Sequence, residues 1–271
     1  MRRSHTILLL FLLVVHSPWL AADIKVLTWN TGRMDYMHKA ETNEVLQYLV
    51  SQDADIICLQ EVDVYKDKKY LTLPEVKKTL AKKYPYSYLD FSVYDKRHQF
   101  GTMVWSKYPL INKQSIHYRT NANLSNRCDV VVGDDTIRLF NNHLESYNFT
   151  PEDMKDVDRM ETKWRRAIPL RIEQAKVVRR EIKLSPYPVI VVGDFNSVPV
   201  SYAYWIISLG LHDAWWSTHP WEWGATFNYG KLGVRIDYIL CSDPLRPVKC
   251  TIPQTTGSDH KPVVATLVLG R

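Results

Sequence analysis

Apolar and polar positions change period repeatedly along this chain. Ile24 to Trp29 gathers β-branched and apolar residues into one run and reads as a strand. From Thr42 to Ser51 the period becomes helical: Val45, Leu46, Leu49 and Val50 share one face, and Thr42 stands where a cap belongs. Asp55 to Leu59 reads as a buried strand. Lys66 to Lys83 is rich in charge, with a helix expected after Pro74. Further strands are expected at 102–106, 115–118, 128–132 and 136–141. Thr150-Pro151-Glu152-Asp153 has the composition of a helix start: a hydroxyl cap, a proline in the first turn, and acids against the positive helix end. That helix is expected to run to about Lys183 with a break at Pro169. Strands at 188–192, 234–241 and 263–269 complete the chain. Strands outnumber helices and each apolar run needs a covering layer, so the pattern predicts a two-sheet core with helices packed outside.

The amino terminus stands apart. Met1, Arg2 and Arg3 place positive charge before an almost unbroken apolar run, Thr6 to Val15, and Ala21 and Ala22 follow with small side chains. This is the pattern of a secretory signal peptide over residues 1–22. An uncleaved anchor is the alternative, although the run is short for a membrane-spanning helix. The expected location is therefore exported: periplasmic, extracellular or envelope-associated. Residues 23–271 then form one domain, long enough to bury a substantial core. The formal net charge is +6, or +4 once Arg2 and Arg3 are set aside, a modest positive field that suits an anionic partner. None of the four cysteines forms a close-spaced zinc-type pair. Cys58 sits in an apolar run and reads as a buried thiol. Cys241 and Cys250 flank Pro244 and Pro247, and in an exported chain they could bridge a hairpin.

The chemistry is concentrated where strands end. Leu27-Thr28-Trp29 runs into Asn30; 56–59 runs into Gln60 and Glu61; 137–140 runs into Asn141, Asn142 and His143; 189–192 runs into Gly193, Asp194, Phe195 and Asn196. Asp237 lies in the strand at 234–241, and Ser258-Asp259-His260 precede the last strand. The segments TWN (28–30), LQEVD (59–63), NNHLES (141–146), GDFNSVP (193–199), RIDYIL (235–240) and GSDHKPV (257–263) resemble, in order, the signature set of the endonuclease/exonuclease/phosphatase superfamily. That superfamily includes pancreatic-type deoxyribonucleases, apurinic-site endonucleases, sphingomyelinases, inositol polyphosphate phosphatases and deadenylases. The run GDFNSVPVSYAY and the segment SKYPLIN (106–112) are similar to exported members from Bacteroides-like bacteria. The resemblance implies an α/β fold of DNase I type: a four-layer α/β/β/α sandwich of two mixed sheets flanked by helices, with the site along one edge.

Phosphate ester cleavage needs an in-line water, neutralisation of the phosphoryl oxygens and stabilisation of the leaving oxygen. Glu61 is a hard oxygen donor suited to Mg²⁺ or Mn²⁺, and the resemblance makes it the principal metal ligand. Asn30 would hold Glu61 or a metal-bound water in place, and Asp259 would reach the metal directly or through water. Asp194 would orient or deprotonate the attacking water, and Asn196 would donate to a phosphoryl oxygen. Asp237 and His260 read as a carboxylate–imidazole pair, with His260 either a general base or an imidazolium that stabilises the transition state. His143 would bond a phosphoryl oxygen or assist the leaving group. Asn141 and Ser258 are lesser candidates for substrate contact; strand capping and turn roles compete for them.

Two softer features remain. Arg165, Arg166, Arg171, Arg179 and Arg180 make the long helical stretch basic, but Glu161, Glu173 and Glu181 balance them, and a solvated face is the favoured reading. Trp215, Trp216, Trp221 and Trp223 form an aromatic cluster that could stack on a ring, dip into a lipid interface or pack a loop. The expected activity is metal-dependent hydrolysis of a phosphate ester by water, leaning to nuclease-type phosphodiester cleavage. A phospholipid, sphingomyelin or inositol-phosphate substrate is the alternative, and a non-catalytic binding module is a second. The expected partner is the phosphate-ester substrate, nucleic acid or lipid headgroup; no feature calls for an obligatory protein partner, and a monomer is expected.

Overall fold

Two six-stranded sheets carry the apolar runs of the chain. The computed structural model describes residues 23–270 apart from Arg119, Asn121, Ala122, Pro151, Gly230 and Lys231, so the segment read as a signal peptide lies outside the described residues. In chain order the elements are β1 (Asp23–Asn30), α1 (Glu44–Ser51), β2 (Ile56–Tyr65), α2 (Leu73–Leu80), β3 (Tyr86–Tyr94), β4 (His98–Ser106), β5 (Leu110–His117), β6 (Leu124–Val132) and β7 (Asp135–His143). They continue with α3 (Val157–Lys183), β8 (Val189–Asp194), α4 (Tyr202–Ser208), β9 (His212–Asp213), α5 (Ala214–Thr218), β10 (Phe227–Tyr229), β11 (Leu232–Val234), β12 (Asp237–Cys241), β13 (Leu245–Thr251) and β14 (Val263–Leu269). One sheet has the order β13-β14-β1-β2-β4-β3 and the other β5-β6-β7-β8-β12-β9. Each sheet holds one parallel pair, β1 with β2 and β7 with β8, among antiparallel neighbours. Parallel neighbours need a crossover, and α1 and α3 lie in these two crossovers.

The period-2 alternation of strand side chains builds the layers. Ile24, Val26, Ile56 and Cys58 of the first sheet meet Ile137, Leu139, Ile190, Val192 and Ile239 of the second in a shared core between the sheets. The opposite faces are covered by helices. Leu27, Trp29, Ile57 and Leu59 pack with Val45, Leu46 and Leu49 of α1 and Val76 and Leu80 of α2. Phe140, Val191, Tyr238 and Leu240 pack with Ala175, Val178 and Ile182 of α3 and with Tyr204 and Ile207 of α4. The result is the α/β/β/α sandwich of DNase I type.

The inward row of each central strand turns polar at its carboxyl end. Ile24 and Val26 give way to Thr28 and Asn30; Ile56 and Cys58 to Gln60; Ile137 and Leu139 to Asn141 and His143; Ile190 and Val192 to Asp194. The parallel pairs β1/β2 and β7/β8 each finish at one sheet edge, with Asn30 opposite Gln60 and His143 opposite Asp194. β12 runs antiparallel to β8, so its first residue, Asp237, is the one that faces Asp194.

Several local expectations are corrected. α1 starts at Glu44 because Asn43, not Thr42, caps it, accepting from Leu46 N at 2.9 Å. β2 continues past Leu59 through a bulge to Tyr65. β3 was not anticipated. α3 begins at Val157, where the Asp156 carboxylate accepts from Asp158 N and Arg159 N; Thr150 closes an upstream turn with Asp153. The helix passes through Pro169 without ending. Arg171 is not part of a solvated face: it is 2% exposed and donates to Glu145 O. All four cysteines are free and buried, and Cys241 and Cys250 lie on strands of different sheets, so no hairpin places them for a bridge. Trp215 packs into the core and donates to Glu222 O, whereas Trp221 is 95% exposed. Among the described residues no helix is long and apolar enough to cross a membrane.

Candidate active site

Glu61 owes its direction to the bulge in β2. Strict alternation would leave it on the helix-covered face with Ile57 and Leu59. The register shift between Leu59 and Val62, with Glu61 at φ 49°, turns its carboxylate toward the sheet edge. A left-handed non-glycine residue is strained and persists only where its surroundings fix it. Thr31 does so: its hydroxyl donates to Gln60 O and Glu61 O. Glycine is required nearby. Gly32 has φ +50°, and a Cβ there would lie 3.0 Å from Ser258 Oγ and 3.2 Å from Asp259 Oδ1.

The two sheets meet through the Asn30 amide. It donates to Glu61 Oε1 at 3.1 Å and to Asp194 Oδ2 at 2.9 Å, so one side chain addresses a carboxylate from each sheet. His143 Nε2 lies 3.3 Å from the same Glu61 oxygen. Asp194 also accepts from Asn196 N at 2.7 Å and Asn196 Nδ2 at 3.1 Å. The Asn196 amide donates in addition to Leu144 O at 3.0 Å. Its two protons are engaged in holding Asp194 and the β7 exit. Gly193 lets β8 approach β7 this closely: a Cβ would lie 2.0 Å from Asn142 O.

His260 is fixed on every side. Nδ1 is 3.0 Å from Asp237 Oδ2, and Nε2 points toward Asp194 Oδ2 at 4.0 Å. Its carbonyl accepts from Trp29 Nε1 at 2.9 Å, and its backbone N–H donates to Ser258 Oγ at 3.1 Å. Ser258 Oγ donates onward to Asn30 O at 2.8 Å, so Ser258 orients its neighbours. The Phe227 ring packs on the imidazole at 4.7 Å.

Burial and these contacts set the charges. Burial favours neutral Glu61, but the close contact and charge of His143, followed by the Asn30 hydrogen bond, outweigh it and bring the carboxyl to about 2. Burial and the charge of Asp237 raise Asp194 to about 6, against the pull of His260 and His143. Burial opposes a charged His260, yet the Asp237 charge and hydrogen bond, then Asp194, push it up to about 10. His143 is raised as well, by Glu61 and Asp194 against its burial.

The structure therefore brings Asn30, Glu61, His143, Asp194, Asn196, Asp237, Ser258, Asp259 and His260 to one sheet edge. Asn141 is placed elsewhere. It is fully buried between the sheets, where its amide accepts from Gln60 Nε2 at 2.6 Å and donates to Leu59 O and Met103 O. Glu61, Asp194, Asn196, Asp259 and His260 line a cavity of about 480 Å³. Its remaining walls are largely apolar: Tyr147, Phe149, Met160 and Trp164 from the β7–α3 region, and Phe227, Leu232, Val234 and Ile236 around the β10–β11 hairpin. The tryptophans at 215–223, for which ring stacking, lipid contact and loop packing were all open, do not line it. The alternation Tyr147-Asn148-Phe149 directly after the NNHLES motif was the available signal.

Two groups of side chains have donor atoms close enough for one cation: Glu61, His143 and Asp194, and Asp194, Asp237 and His260. In the second group the His260 imidazolium offsets one of the two carboxylates. The first offers the more ionised carboxylate, with Asp259 lining the same cavity. Hard oxygen donors of this kind fit Mg²⁺ or Mn²⁺.

Known proteins share this fold. The endonuclease/exonuclease/phosphatase from Beutenbergia cavernae superimposes with a TM-score of 0.68 at 16% identity, covering 92% of this chain and 72% of that one. The endonuclease/exonuclease/phosphatase from Bacteroides vulgatus gives 0.67 at 16% identity, covering 92% and 100%. D. rerio TDP2 complexed with single strand DNA product gives 0.65 at 18% identity, covering 91% and 99%. No curated protein sequence matches the chain. The endonuclease/exonuclease/phosphatase family matches it over residues 27–260. The chain belongs to that family and is a hydrolase of phosphoric ester bonds.

Proposed function

We propose that the protein is a divalent-metal-dependent phosphodiesterase of nuclease type that cleaves its ester by direct attack of water. The observation that carries this reading is the meeting of Glu61, Asp194 and the Asp237–His260 pair at one cavity. Mg²⁺ or Mn²⁺ would be held by Glu61, with Asn30 steadying the carboxylate and Asp259 beside it, and would supply positive charge to the phosphoryl oxygens. Asp237 holds His260 toward its charged form at 3.0 Å, while Asp194, raised by burial and by Asp237, is the group left to take a proton. That division makes Asp194 the group that orients and deprotonates water. His260 is then the imidazolium that stabilises charge on the phosphoryl oxygens. His143 donates to a phosphoryl or leaving oxygen, and Asn196 holds Asp194. Nuclease-type cleavage is supported by the likeness to TDP2 holding single strand DNA product and by the positive formal charge. Export of the protein is supported by the composition of residues 1–22. Amino-terminal sequencing of the protein from the periplasm or medium tests export: a start near Asp23 is expected, and an intact Met1 in the cytosol contradicts it.

The test is hydrolysis of bis-p-nitrophenyl phosphate. Turnover is expected with Mg²⁺ or Mn²⁺ and is lost with a chelator. His260→Ala should lower turnover by roughly 10²–10⁴ while the fold survives, and Glu61→Gln should shift the metal titration to higher concentration. Near-normal turnover of the His260 variant would remove it from the mechanism. Preference for sphingomyelin or an inositol phosphate over single-stranded DNA would overturn the nuclease reading, and inactivity on all phosphate esters would leave a binding module.

A further inference from the structure

The cavity has an aromatic wall built before any substrate arrives. Tyr147 and Phe149 are stacked with centroids 5.1 Å apart and planes at 23°. Asn148 between them has φ 51°, the left-handed turn that accompanies this stacking of residues two apart. Trp164 of α3 meets both rings edge to face, at 6.4 and 6.0 Å. Trp164 is itself 40% exposed, and all three line the cavity that holds Glu61, Asp194 and His260. The wall is braced from behind. The guanidinium of buried Arg171 lies 4.1 Å over Tyr147, and Lys163 ties Asn148 O to the Asp153 carboxylate.

We infer that Tyr147, Phe149 and Trp164 form a specificity platform for one unpaired nucleobase adjoining the scissile phosphate. This rests on the phosphodiesterase reading above. A rigid aromatic surface loses little entropy on binding a flat ring, and base–aromatic stacking is tolerant of base identity. Ser146 and Asn148, which also line the cavity, offer polar groups to the ring edge. A cavity of about 480 Å³ has the size of a pocket for one small ligand. An aromatic wall beside a phosphate site could also cage a quaternary ammonium headgroup. The charges argue against that occupant. Arg171 already occupies one face of Tyr147, so the ring is engaged with a cation before any ligand arrives and a second cation over it meets like charge, while a neutral ring does not.

Three esters that share one leaving group test the platform: thymidine 5′-p-nitrophenyl phosphate, p-nitrophenyl phosphorylcholine and methyl p-nitrophenyl phosphate. The thymidine ester should exceed the methyl ester in kcat/KM by roughly 10–100-fold. Trp164→Ala, and separately Tyr147→Ala, should make the two esters converge, chiefly by raising KM for the thymidine ester, and Trp164→Phe should restore part of the gap. Equal loss on both esters would overturn the inference, because the wall would then hold the nitrophenyl group or the fold. A preference for the choline ester that Trp164→Ala removes would also overturn it. Absence of turnover on all three would remove the phosphodiesterase reading and the platform with it, whereas turnover without discrimination removes the platform alone.

Discussion

Asp237 is the residue whose charge is felt furthest in the site. It faces Asp194 across the β8–β12 pair and bonds the His260 ring. Its negative charge raises both neighbours, Asp194 to about 6 as a like charge and His260 to about 10 as a counter-charge. If ionised Asp194 and charged His260 are both needed, kcat/KM is bell-shaped with limbs near those values. Asp237→Asn removes one negative charge, so both pKa values fall and both limbs move to lower pH; limbs that stay fixed or move apart would contradict this assignment. The same shifts bear on stability. The raised His260 contributes stability that is complete below its ordinary 6.5 and is lost as pH climbs through about 10. Asp194 acts as a raised acid: its contribution is complete below 3.8 and is lost as pH rises through about 6.

Elements explain why much of the site was legible in the sequence and some of it was not. Strand ends are local events. A run such as Val189 to Val192 followed by Gly193-Asp194 announces both the strand and its polar tip, and β7 with His143 does the same. Alternation would have put Glu61 on the wrong face, because the bulge that redirects it depends on pairing with β4 and on Thr31. Asn141 has the composition of a substrate contact but sits beneath the cleft, bonded to Gln60 of the other sheet; no local pattern reports that partner. Of the Tyr147–Phe149–Trp164 wall, only the Tyr147-Asn148-Phe149 alternation is local; Trp164 joins it when α3 docks. α3 also shows packing overriding propensity. Pro169 costs it one backbone hydrogen bond, yet the helix continues because Ala175, Val178 and Ile182 are buried against the second sheet. Pro169→Ala should therefore stabilise the protein by about 1–3 kcal/mol, read as a higher urea midpoint. A lower midpoint would show that the proline shapes a needed bend.

On the scale of the whole molecule, the site exists because two sheets are locked together directly beneath it. Gln60 and Asn141 cross the core between them, and Asn30 joins a carboxylate from each. Asn141→Ala would strand Leu59 O, Met103 O and part of the Gln60 amide in the interior. At about 1–3 kcal/mol for each buried group left unpaired, a loss of roughly 2–4 kcal/mol is expected in urea unfolding. A loss below about 0.5 kcal/mol would mean the bridge does not hold the layers. The sandwich delivers polar tips from β1, β2, β7, β8, β12 and the loop before β14 to a single point, and the proposed chemistry depends on that convergence. The most direct test is a crystal of the protein grown with Mn²⁺ and inorganic phosphate, read by anomalous scattering. One manganese peak should lie at ligand distance from the Glu61 carboxylate, with the phosphate between it and His260, and the peak should vanish in Glu61→Ala. Manganese remote from Glu61, or phosphate seated away from Asp194 and His260, would contradict the account.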